Sequence, residues 1–132
     1  MSEIKVDTLT GKTTANDITV TVGATATMSL EQGLAKAFLY FDSSIATPVA
    51  DASLNISSIL DGTTGIYDPN FVNNMDSADY AVTSGISPES GTGDQAFSHP
   101  NSASQYSFNI YSGTGSYDDN AHCSSNVHGD LA

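Results

Sequence analysis

Gly11-Lys12-Thr13-Thr14 is the first group whose residue types could do chemistry, because a Gly-Lys pair followed by hydroxyls closes a phosphate-binding loop. Such a loop also needs a glycine five positions before the pair, so that backbone N–H groups wrap the phosphate, and Val6 stands there. A helix must follow, whereas Ile18-Thr19-Val20-Thr21-Val22 alternates as a strand does. The stretch reads as a polar turn between two strands.

His99, His122 and His128 raise a metal site. On a continuous strand His122 and His128 share a side but stand roughly 20 Å apart, too far for one ion. A three-fold axis joining copies of one histidine is the remaining route, and polar strand or loop residues are the simpler reading. No metal or other cofactor is expected. Asp118-Asp119-Asn120 resembles a fragment of a calcium loop but lacks its alternating ligands and distal glutamate, so it reads as a surface turn. No Gly-x-Ser-x-Gly elbow is present, and no feature singles out a carboxylate pair, so catalysis is not expected. A hydrolase using an unmarked pair stays open as a competitor. Cys123 is the only cysteine and reads as a small buried hydrophobe. Phe97, His99 and Tyr117 lie in polar stretches, where the aromatics could stack on a sugar ring or pack within their own loops.

At 132 residues the chain has room for one modest core, with an appendage at most. No apolar run exceeds the five residues Ala37–Phe41, so membrane insertion is not expected. Met1–Lys5 lacks the apolar region of a signal peptide, so secretion by that route is not expected. The charge is lopsided: the three lysines lie within the first 36 residues, and 11 of the 15 acids lie beyond them, with no arginine anywhere. Such a surface repels phosphate backbones, so nucleic acid is not an expected partner.

The elements that must position these residues are strands, because period-2 alternation dominates. Ile4–Leu9 and Ile18–Val22 read as two strands of a ribbon, and Ser29-Leu30-Glu31-Gln32 as a capping box with space for one helical turn. Leu34–Phe41 is apolar on both faces, as a strand covered on each side would be. Ser53–Leu60 reads as one strand, with Leu54, Ile56 and Leu60 set against Ile59. Asp61–Gly65 then turns into a return strand, Ile66–Val72, where Pro69 implies an edge or a bulge. Ala78–Thr83, Ser104–Tyr111 (Tyr106, Phe108 and Ile110 on one face) and Asn120–Asp130 are further strands, and 86–104 reads as a long loop. The fold class expected is all-β: an antiparallel β-sandwich of five or six strands over 34–132, preceded by an N-terminal attachment ribbon over 1–33. A two-stranded ribbon is marginal alone in water, so Ile4, Val6, Leu9, Ile18, Val20 and Val22 are expected to find a complementary surface.

Gly33–Asp42, Ser53–Phe71, Met75–Val82 and Asn126–Ala132 together resemble a family of short tail-fibre-like virion proteins of marine and cyanobacterial phages. The family pattern runs K-A-W-V-N-F-D, then D-S-F-N-V-S-S-I-T-D-N-G-T-G-D-Y-T-V-N-F, M-x-D-A-N-Y-A-V and V-x-V-x-V-F-G-D. Phe38 replaces the tryptophan, Pro69 interrupts one strand, and Ser125–His128 is more polar than the pattern, which puts a core role for the last strand in question. The resemblance implies a non-enzymatic, homotrimeric appendage, located in the virion after assembly in the host cytoplasm. It implies capsid or tail proteins as partners and contact with host surface glycans. A short fibre, a spike and a head-decorating protein are all open, and a carbohydrate-binding module outside any virion is the alternative.

Overall fold

The computed structural model describes residues 5–10, 18–22, 24–87 and 93–132. The chain divides into two compact units, Met1–Leu34 and Ala35–Ala132. In the first, β1 (Thr19–Val22) pairs antiparallel with β2 (Ala26–Ser29), aligning Val20 with Met28. One helical turn, α1 (Leu30–Gly33), follows. The ribbon is therefore not built from the two strands expected, because residues 5–10 carry no strand and the partner of 18–22 lies after it. Alternation in Ile4–Leu9 could not show that the nearer Ala26–Ser29 closes a far shorter loop. Ser29 caps α1 without a side-chain hydrogen bond, so the capping box is not formed.

The second unit is an antiparallel β-sandwich, with eight strands among the described residues. Its strands are β3 (Ala37–Phe41), β4 (Ala50–Leu54), β5 (Ile56–Thr63), β6 (Ile66–Phe71), β7 (Ala81–Ile86), β8 (Gln95–Ser102), β9 (Gln105–Tyr111) and β10 (Cys123–His128). They form two sheets in the orders β4-β3-β10-β7 and β5-β6-β9-β8. Strict alternation builds the core: Ala37, Leu39 and Phe41 from β3, Cys123 and Val127 from β10, and Tyr106, Phe108 and Ile110 from β9 are all buried. Phe41 sits edge-on to Tyr67 at 5.5 Å and to Phe108 at 5.4 Å, locking the sheets together. Tyr106 and Ser125 share a buried hydroxyl pair at 2.6 Å, which lets the polar β10 occupy a central position.

Several strands differ from expectation. β3 is central in its sheet but covered on one face only, and Phe38 and Tyr40 are each 38% exposed on the other. The Ser53–Leu60 run breaks at Asn55, whose φ of 58° turns the chain from one sheet into the other. Asparagine tolerates this left-handed backbone, and here its side chain clasps Asn73 twice, accepting from the Asn73 amide (2.7 Å) and donating to its carbonyl (3.0 Å). A register shift between Ile56 and Ser58 then lets Ile56 and Ile59 both pack on the core and leaves Leu60 exposed, while Leu54, on β4 before the break, is exposed as well. β6 is not an edge strand: it lies between β5 and β9, and Pro69 is buried. The β6–β9 ladder tolerates the proline by omitting the pairs at Asp68 and Pro69, where Ser107 donates to the Asp68 carboxylate at 2.6 Å instead.

The sandwich has a direction. At one end Ala37 and Val82 flank Val127, and at the other Phe41 and Ile86 flank Cys123. β9 runs the same way, since Tyr106 meets Ser125 whereas Phe108 meets Phe41 further along. Chain arriving from residue 35 enters at the first end, where Lys36 N–H donates to the Val127 carbonyl at 2.8 Å.

Cys123 is fully buried, and that burial pushes its thiol up from 9.0 to about 11. Burial likewise pushes the Tyr106 phenol from 10.0 to about 12. Both groups hold their protons more tightly folded than unfolded, so the unfolded chain releases them first as pH rises. Stability is therefore expected to fall progressively above about pH 9. A disulfide reagent at pH 8 should titrate no thiol in the native protein and one after denaturation. Rapid native labelling would place Cys123 outside the core.

Candidate functional site

The far end of the second sheet carries the chemistry the sequence singled out. Alternation along β8 sends Ala96, Ser98 and Pro100 toward the first sheet and Gln95, Phe97 and His99 outward. The long loop expected over 86–104 thus contains the eight-residue strand β8, and residues 88–92 lie outside the described residues. Its inward positions are small or polar, which hid the periodicity. Phe97 opposes Asn109, and Gln95 opposes Tyr111, in the β8–β9 ladder.

This register places Phe97 diagonally across from Tyr111, with ring centroids 5.7 Å apart at 77°. Tyr111 also stacks on Tyr117 at 4.5 Å, and its hydroxyl donates to the Tyr117 hydroxyl at 2.8 Å. That hydrogen bond is the main reason the Tyr111 phenol is held above its usual value. The turn carrying Tyr117 is closed by Ser112 N–H donating to the Ser116 carbonyl, and Asp94 accepts from Gly113 N–H at 3.2 Å. Phe97 and Tyr117 remain 51% and 44% exposed. Gln95, Phe97, Asn109 and Tyr111 line a groove of about 540 Å³ rimmed by Gly93 and Gly113.

Two of the three residues expected at a contact surface, Phe97 and Tyr117, are therefore brought together, though through Tyr111. His99 lies further along β8 on the same outward face, opposite Ser107. Tyr111 was not singled out in the sequence. The signal for it was alternation in Gln105–Tyr111, which sends Tyr111 outward while Tyr106, Phe108 and Ile110 turn in.

Asp119 is a structural pin. It accepts from Gly65 N–H (2.8 Å) and the Tyr67 hydroxyl (2.5 Å), tying the β5–β6 turn to the segment before β10. Burial and that bond hold the Tyr67 phenol far above its usual value. Among the described residues no group of three or more His, Cys, Asp or Glu side chains is placed to hold a metal. His122 and His128 are both exposed, and the Tyr40 hydroxyl lies 2.7 Å from His122 Nδ1.

In the first unit, Val6 and Leu9 are exposed outside any strand, Val20 is half-buried in β1, and Val22 ends that strand. The Ile18 carbonyl accepts from Leu30 N–H at 2.7 Å. Ile4 lies outside the described residues. No helix among the described residues is long and apolar enough to cross a membrane. No protein-family model, curated protein or solved structure matches the chain.

Proposed function

We propose that this chain is a structural protein of a phage virion: a short fibre, spike or head-decorating appendage that its first unit attaches and its sandwich presents to the host surface. The observation that carries this reading is the division of labour between the units. Among the described residues of Met1–Leu34 only two short strands pair, and Val6, Leu9 and Met28 are about half exposed or more, whereas Ala35–Ala132 closes its own core. Apolar side chains that this unit leaves exposed, on the ribbon and before it, fit docking to neighbouring subunits. The sandwich receives the chain at one end and opens its aromatic groove at the other, as an adhesive head on a tether requires. The resemblance to tail-fibre-like proteins supports the same assignment and adds a homotrimer. Many copies per particle make weak contacts sufficient, so binding without catalysis is the proposed role.

Removal of residues 1–34 tests it. The truncated protein is expected to keep a cooperative melt and to be lost from purified particles, whereas the full chain co-purifies with them and runs as a multimer in size-exclusion chromatography with light scattering. A monomeric full chain that is absent from particles would overturn the reading. The aromatic groove favours one second reading, a free carbohydrate-binding module, for which that same outcome is expected together with retention on polysaccharide.

A further inference from the structure

We infer that the groove lined by Phe97 and Tyr111, with Tyr117 stacked behind Tyr111, is a subsite for uncharged glycans, which rests on the adhesive role proposed above and names the chemistry of its ligand. A pyranose offers an apolar C–H face and a rim of hydroxyls. The groove offers the complement. Phe97 and Tyr111 meet at 77°, so a ring laid on one is flanked by the other. The Tyr111–Tyr117 stack with its hydroxyl bond fixes that corner before any ligand arrives, which lowers the cost of ordering it. Gln95 and Asn109, cross-strand neighbours of Tyr111 and Phe97, carry amides that can each donate and accept, matching vicinal hydroxyls. The volume of about 540 Å³ falls within the range of about 300–1,000 Å³ common to small-molecule sites.

Charge selects among glycans. Beyond Lys36 the sequence holds no lysine or arginine, while 11 carboxylates lie there, Asp94 among them beside the groove. A uronate, sialate or phosphate would meet like charge on a sandwich whose residues beyond Lys36 include no lysine or arginine. A protein partner is disfavoured because amides and glycines surround the aromatic corner, where a protein contact core would want contiguous apolar area.

Affinity electrophoresis of the full chain through gels containing β-glucan, mannan, galactan or alginate tests the inference. Retardation is expected on at least one of the three neutral polymers and not on alginate. Phe97→Ala is expected to weaken retention about tenfold or more, and Asn109→Ala several-fold, each with a melt close to wild type. Phe38→Ala, which removes an exposed aromatic from the opposite sheet, should leave retention unchanged. Indifference to Phe97→Ala, equal retention on alginate, or no retention on any neutral polymer would overturn the subsite. None of these results bears on whether the protein resides in particles, which particle composition reads separately.

Discussion

Phe41→Ala is expected to lower the melting temperature of the sandwich by roughly 15–30 °C. Phe41 is fully buried, and its ring is the one that meets both Tyr67 and Phe108 from the opposite sheet. Truncating such a ring removes its transfer free energy and leaves a cavity that two sheets held by backbone ladders cannot close, at about 3–5 kcal/mol. A domain of about 100 residues has only about 5–15 kcal/mol in total, so the variant sits near the edge of folding. Phe38→Ala is the internal control: Phe38 lies on the same strand, faces outward, and should shift stability by no more than about 0.5 kcal/mol. Thermal denaturation of the pair measures the difference directly. Equal shifts would mean that β3 buries the wrong face.

Gly65→Ala carries the second large effect. Gly65 has a φ of +69°, and a Cβ there would stand 2.7 Å from the Ile110 carbonyl oxygen and 2.8 Å from the Asp118 amide nitrogen and carbonyl oxygen. All three are backbone atoms, so none can step aside as a side chain could. The methyl group must either displace the β5–β6 turn or push the segment before β10 away. Both movements break the bonds from Gly65 N–H and Tyr67 to Asp119. A loss of at least about 2 kcal/mol is expected, combining left-handed strain with those bonds. Gly115→Ala separates the two contributions, because Gly115 has a φ of +84° with nothing within 4 Å of the added carbon. It should cost about 1 kcal/mol from conformation alone. If denaturant midpoints fell equally in both variants, the crowding at Gly65 would have no energetic weight.

What could be read in advance follows from what periodicity encodes. Tyr106, Phe108 and Ile110 announced β9 because a central strand alternates large apolar residues with polar ones. Asp61–Gly65 announced the hairpin because a turn demands its own residue types. β8 stayed hidden because its inward positions are Ala96, Ser98 and Pro100, small or polar residues that carry no apolar alternation, and the Ser98 hydroxyl is buried unpaired. The break at Asn55 was equally silent, since its cause is a clasp to Asn73 that becomes visible only once the chain has folded back. The site was half legible for the same reason. Phe97 and Tyr117 stood out as aromatics in polar surroundings, but Tyr111 belongs with them only through the pairing of Gln95 with Tyr111, a long-range fact that composition does not carry.

The lengthwise direction of the sandwich also decides how it bears traction. A tether pulling at residue 35 and a weight hanging from Tyr111 stretch β3 along its own axis, away from the far end. The rungs joining β3 to β4 and to β10 lie across that pull. They are strained together in shear, whereas a force pulling β3 sideways from one end within its sheet would unzip them one after another. Under the adhesive role proposed, a head grasped at its groove and held by its leading segment would be loaded in the geometry that resists tearing best.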